Sequence, residues 1–206
     1  MIQVRCFDIT KLQCGDYENF YKQASPERQE RADRYLKQED RVRCIVAEAM
    51  MRLIPGYHAD DLAYTKIGKP YFKDPQKPHF NLSHSGRWVA IAWGDCPLGV
   101  DVEQLRLQRG KEAIARRFYR RDEQDYVFSA MGEERTERFF RIWTMKESYL
   151  KYLGTGITKS LDSFSVLGDP LGVTFTTELL PDACLSLCAQ NAEDCHIQFL
   201  SNCDGG

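Results

Sequence analysis

Two carboxylates stand two residues apart in the segment PLGVDVE, at Asp101 and Glu103, each beside a valine. Alternate side chains of an extended strand share a face, so Val100 and Val102 point to a core while both carboxylates point together to the other side. Such a pair repels itself unless a proton or cation intervenes. A hard divalent ion held by oxygen ligands is one solution, and a solvated strand edge is the other. A third carboxylate, Glu147, precedes Lys151 by four residues in RIWTMKESYLKYLG. That spacing suits an ordinary surface ion pair. It equally lets Glu147 join the same ion while Lys151 donates to a phosphate held by it.

Side chains able to hold an anion are scattered earlier in the chain. Arg28 and Arg31 are three residues apart, Arg41 and Arg43 open a second helical pattern, and Lys69 sits in a Gly-Lys-Pro loop. The glycine there lets backbone come close to a ligand. His84, in FNLSHSGRW, adds a donor whose charge changes near neutral pH. Taken singly, each has a plainer explanation in a solvated helix face or a hydrogen-bonded structural histidine.

The elements that must position these groups alternate between strand and helix in both halves. A short apolar opening reads as a strand, and Ser25 with Pro26 reads as a helix cap and first helical residue. Helical spacing of Val42, Ile45, Val46, Ala49, Met50 and Leu53 predicts a helix over about Glu39 to Leu53, stopped by IPGY. KIGKPYFKDPQKPHF reads as a loop with at most one short strand, and RWVAIAWGDCPLGVDVE as two strands joined at Gly94 and Asp95. Helices are expected from Gln108 to about Tyr119, with Ile114 and Phe118 on one face, and from about Arg138 to Leu153. In the latter, Trp143 and Leu150 form the apolar stripe, while Lys146, Glu147 and Lys151 lie nearer the polar side. The tail returns to strands, with a hairpin signal at Gly168, Asp169 and Pro170 followed by ACLSLCAQ and CHIQFL. Mixed elements in both halves predict an α+β fold rather than a regular parallel βαβ array.

The 206 residues suffice for a real core, and 43% hydrophobic with 28% charged residues is ordinary for a globular chain. A net charge of −2 gives no global pull toward nucleic acid or membrane. The N-terminus lacks the apolar core of a signal peptide, and no run approaches the ~20 residues of a membrane span, so a cytosolic (cytoplasmic) protein is expected. The eight cysteines are scattered without CxxC knuckles and read as reduced, mostly buried thiols. A metal site at Cys184, Cys188, Cys195 and His196 competes with a strand that puts Leu185 and Leu187 on one face.

GKPYF, FNLSHS, LGVDVE and RIWTMKESYLKYLGTGI, in that order between Gly68 and Ile157, resemble the 4′-phosphopantetheinyl transferases of the surfactin-synthetase type. Weaker similarity extends through SPERQERADRYLKQEDRVR and LDSFSV. The resemblance implies a pseudo-dimer of two α+β halves, 1–104 binding coenzyme A phosphates and 105–206 carrying the catalytic helix and the carrier docking face. It implies transfer of the phosphopantetheine arm from coenzyme A to a serine of an apo peptidyl or acyl carrier protein, with Mg2+ as cofactor. Asp101, Glu103 and Glu147 match the family's metal ligands, with Glu147 also a candidate base. Lys151 matches a phosphate-binding lysine that can assist the leaving oxygen. Arg28, Arg31, Arg43, Lys69, Ser83, His84 and Lys151 would hold coenzyme A, with His84 protonated beside phosphate. Arg28 and Arg31 stand where relatives often have lysine, and Cys44 where they often have threonine, which puts a hydroxyl contact there in doubt.

Between Leu105 and Arg121 lie Arg106, Arg109, Lys111, Arg116, Arg117, Arg120 and Arg121 against a single acid, Glu112. This is either a solvated helix or a patch for an acidic carrier. Secondary-metabolite synthesis, such as that of nonribosomal peptides or polyketides, is the expected setting, and a monomer the expected state. A noncatalytic protein binding coenzyme A or a carrier, and a metal-dependent phosphohydrolase, are the competing readings.

Overall fold

Alternating apolar residues in IQVRCFD make β1 (Ile2–Asp8) the centre of the first sheet. The computed structural model describes residues 1–106, 110–154, 160–168 and 171–201. The first sheet runs in the order β4 (His79–Ser85), β5 (Trp88–Gly94), β1, β9 (Cys195–Leu200). β5 lies antiparallel to both β4 and β1, whereas β9 joins β1 in parallel. The second sheet is antiparallel, β6 (Leu98–Gln104), β8 (Ala183–Ala189), β7 (Thr174–Leu180). A two-stranded ribbon, β2 (Leu62–Tyr64) with β3 (Pro70–Phe72), carries the Gly-Lys-Pro loop between its strands.

The layers follow from which side chains alternate to which face. Phe7, Val89, Ile91 and Trp93 pack on the helical side with Ile45 and Met50 of α3 (Gln38–Met51), beside α1 (Asp16–Gln23) and α2 (Pro26–Asp33). Val4, Cys6, Ala90 and Ala92 turn the other way and meet Val100, Val102, Leu185 and Leu187 of the second sheet. The small alanines let the sheets approach closely, and β5 is buried on both faces. The far face of the second sheet packs under α6 (Gly132–Leu153), together with α4 (Lys111–Phe118) and α5 (Arg121–Phe128). The architecture is α+β, as the sequence predicts.

Ser25 caps α2 by accepting from the Arg28 amide at 3.3 Å, with Pro26 in the first turn. Helices α1 and α5 are not foreseen in the sequence. Only Phe20 of α1 is buried, so it carries little apolar periodicity, and α5 is short and acidic at its start. Helix α6 begins six residues before the predicted Arg138, its charged first turns tied down by Glu134 to Arg138 and Glu112 to Arg135. The predicted start of α4 at Gln108 lies outside the described residues. So do Asp169 and Pro170 of the predicted hairpin; residues 164–168 are not strand, and the hairpin falls instead between β7 and β8. The seven described cysteines are free. Cys184 and Cys188 face α6 while Leu185 and Leu187 face the first sheet, as alternation requires. Cys195 and His196 lie on β9 in the other sheet, so these four do not gather. No described helix is long and apolar enough to cross a membrane.

Candidate active site

Strand β6 is the edge of its sheet, and an edge strand leaves every second amide looking for an acceptor. Side chains of β4 supply them. Asn81 Oδ1 accepts from Val100 N at 2.9 Å, and Ser83 Oγ and Ser85 Oγ accept from Val102 N and Gln104 N, both at 3.2 Å. Phe80, Leu82 and His84 take the opposite face of β4, toward the helices of the first sheet. The two sheets are thus stitched by a polar ladder whose rungs lie beside Asp101 and Glu103.

Those carboxylates face α6. Contact between β6 and α6 depends on Gly99, where a Cβ would lie 2.1 Å from the Ser148 carbonyl oxygen and 2.4 Å from Tyr152 N. This close approach delivers Glu147 and Lys151 to the carboxylates. Lys151 Nζ donates to Asp101 Oδ1 at 2.7 Å, Ser83 Oγ at 2.8 Å and the Val100 carbonyl at 3.1 Å. Asp101 is buried, and its second oxygen, Oδ2, has no hydrogen-bond partner. Glu147 is pushed up to about 7, first by desolvation and then by the charge of Asp101, against the pull of Lys151. Desolvation and Asp101 also raise Glu103, while a hydrogen bond from Ser85 Oγ at 2.6 Å works the other way. Three hard oxygen donors, two of them with raised pKa and the third with a buried bare oxygen, have the chemistry of a divalent-cation site. As they are placed, no three His, Cys, Asp or Glu side chains among the described residues are gathered closely enough to enclose an ion.

A cleft of about 450 Å³ joins this acidic floor to cationic walls, bringing Arg28, Arg31, Ser83 and His84 together with Asp101, Glu103, Glu147 and Lys151. Arg31 is exposed. Arg28 is held at 3.1 Å from Glu48, which also accepts from the Ser25 amide at 2.7 Å, so this arginine fixes the α2 to α3 junction as well as lining the cleft. Cys44 is buried with its sulfur 3.9 Å from Arg28 Nη1. The Arg43 guanidinium binds Asp40 and the Gly86 carbonyl, holding the turn after β4 beside His84. Lys69 binds the Lys151 carbonyl from the ribbon, and desolvation followed by the Lys151 charge lowers its pKa. The His84 ring reaches solvent, yet the cleft walls strip enough water that desolvation leads, ahead of Arg43 and Lys151, in lowering its pKa. Without a ligand, then, this histidine is biased toward its neutral form, opposite to its expectation beside phosphate.

One side chain departs from the sequence reading. Lys146, placed nearer the polar side of α6, is fully buried and paired with buried Glu123 at 2.8 Å. Its ammonium also donates to the carbonyls of Leu161 and Phe164, at 2.7 and 2.6 Å. The reading missed Asn81 and Ser85, whose only sequence signal is their alternation with Ser83.

Residues 97–199 match the profile of the 4′-phosphopantetheinyl transferase superfamily. The 4′-phosphopantetheinyl transferase Sfp of Bacillus subtilis strain 168 is 36% identical over 155 residues, covering 72% of this chain and 68% of that protein. The chain belongs to the 4′-phosphopantetheinyl transferase family. A second Bacillus subtilis 4′-phosphopantetheinyl transferase is 32% identical over 161 residues, 75% of this chain and 71% of its own. The transferase HetI of a Nostoc species is 34% identical over 139 residues, 63% and 59% of the two chains. The profile match spans β6, α6 and β8, so it covers all three carboxylates and Lys151. The cationic wall from α2 and β4 lies before it in the chain.

Proposed function

We infer that this protein transfers the 4′-phosphopantetheine arm of coenzyme A to a serine of an apo carrier protein, releasing adenosine 3′,5′-bisphosphate. The observation that carries this reading, within a chain of this family, is a single cleft with three carboxylates on its floor and Arg28, Arg31, His84 and Lys151 around it. A polyanion such as coenzyme A needs both parts, cations for its phosphates and acids for the metal ion and proton of phosphoryl transfer.

Asp101, Glu103 and Glu147 would hold Mg2+, which when bound neutralises charge on the pyrophosphate oxygens. Arg28, Arg31, Arg43, Lys69, Ser83, His84 and Lys151 would hold the phosphates. In the reaction the carrier serine oxygen bonds to the phosphorus that bears pantetheine, and the anhydride bond to the nucleotide phosphate breaks. Glu147 takes the serine proton, directly or through water. Lys151 meets the charge left on the departing oxygen. Residues 1–104 would thus serve mainly the nucleotide, and 105–206 the catalytic helix and the carrier, within a cytosolic monomer.

The carrier's place is proposed on α4, where Arg116 and Arg117 are exposed and Arg116 lines a groove with Val127, Phe128 and Phe139. An acidic helix with an apolar stripe complements such a surface. The test is intact-mass spectrometry of an apo peptidyl carrier domain incubated with the protein, coenzyme A and Mg2+. A gain of one phosphopantetheine arm is expected, abolished by Glu147→Gln or by chelator. Coenzyme A binding without any gain would favour the noncatalytic reading, and coenzyme A cleavage without a carrier would favour the phosphohydrolase.

A further inference from the structure

We propose that Ser83 and Ser85 are positioning residues that select which oxygen of Asp101 and of Glu103 is presented to a divalent ion. The inference rests on the metal-assisted reading of the site. Serines at 83 and 85 alternate on β4 as the carboxylates at 101 and 103 alternate on β6, so the two pairs meet in register across the sheets. Ser83 Oγ donates to Asp101 Oδ1 at 2.8 Å, and Ser85 Oγ donates to Glu103 Oε2 at 2.6 Å.

A hydroxyl has one proton to give and two lone pairs to offer. The lone pairs of Ser83 receive the Val102 amide and the Lys151 ammonium, which obliges its proton to point at Asp101. Lys151 loads that same oxygen, leaving the buried Oδ2 as the bare one. Ser85 is aimed in the same way, its oxygen receiving the Gln104 amide while its proton goes to one oxygen of Glu103. Each serine therefore fixes a carboxylate's rotation with a bond anchored in the backbone of the strand that carries it. Outer partners that orient ligating carboxylates in this manner typically change metal affinity when removed.

The experiment is direct Mn2+ binding, followed by the electron paramagnetic resonance of the free ion, on the full chain stripped of metal. Wild type, Ser85→Ala and Ser85→Thr are compared, each with its melting temperature. Ser85→Ala is expected to weaken Mn2+ binding by about 10-fold or more, with Ser85→Thr close to wild type because it keeps the hydroxyl. In the transfer assay the half-saturating Mg2+ concentration should rise in parallel, with kcat largely recovered at high metal. Unchanged binding in Ser85→Ala overturns the inference, and so does equal loss in both variants, which would make the effect one of packing. Wild type that binds no Mn2+ overturns the metal reading itself, an outcome distinct from either.

Discussion

Helix α6 carries two lysines that each reach a buried carboxylate, and the two pairs differ in their hydrogen-bond bookkeeping. Lys146 gives its three protons to Glu123, Leu161 and Phe164, while Glu123 also accepts the amides of Val166 at 2.9 Å and Arg120 at 2.8 Å. Both carboxylate oxygens are answered. Lys151 is equally well received, yet Asp101 keeps one buried oxygen bare, with two further acids raised beside it. A closed pair ties α5 and the segment 161–166 to the helix. An open pair holds unsatisfied charge where a ligand can complete it. The count of unanswered oxygens, rather than burial or ion pairing, separates the structural lysine from the one proposed to act in the site.

The comparison breaks most readily at the open pair. Glu147→Gln should lower carrier modification about 10²- to 10⁴-fold without lowering the melting temperature; equal turnover in a single-turnover mass assay would remove Glu147 from the chemistry. At the closed pair the expected effect is on stability. Lys146→Met leaves the buried Glu123 without its cation and should cost about 3–5 kcal/mol in urea unfolding, part of which Glu123→Gln in the same chain should restore. Gly99→Ala sharpens the contrast by forcing α6 off β6; about 1–3 kcal/mol of overpacking is expected, together with lost turnover as Lys151 moves from Asp101. Reversing Arg116 and Arg117 to Glu should raise the carrier KM roughly 10-fold, about 1.4 kcal/mol, and leave the coenzyme A KM alone.

Glu147 also carries an effect of pH. In metal-free protein Glu147 holds its proton up to about 7 when folded, against the ordinary 4.5 when unfolded. Across that window the folded state binds more protons, so stability present below pH 4.5 is lost as pH rises through about 7. Glu147→Gln should flatten this slope in unfolding curves recorded with EDTA.

How much of this was legible depended on the distance over which a pattern acts. Alternation along β6 was enough to turn Asp101 and Glu103 away from the valine core, and four-residue spacing was enough to relate Glu147 to Lys151. Ser85 could not be read in the same way, because its meaning requires β4 to lie across from β6, and nothing local says that β5 and β6 enter different sheets. Lys146 was misplaced for a related reason. Its partner Glu123 sits on a short helix with weak periodicity, so a lysine at the edge of the apolar stripe looked solvated. Leu185 and Leu187 were assigned correctly because a strand's own alternation decides their faces.

Strand β9 pairs in parallel with β1, Ile2 opposite Cys195 and Phe7 opposite Leu200, so the first sheet is finished by partners from far along the chain. A contact of such long sequence separation forms late and slowly. During synthesis at roughly 5–20 residues per second, β1 must wait about ten seconds or more with one edge unpaired before β9 leaves the ribosome. Through that interval the nascent chain displays an apolar strand edge open to the wrong neighbour, and its yield in a cell should depend on how well chaperones guard it.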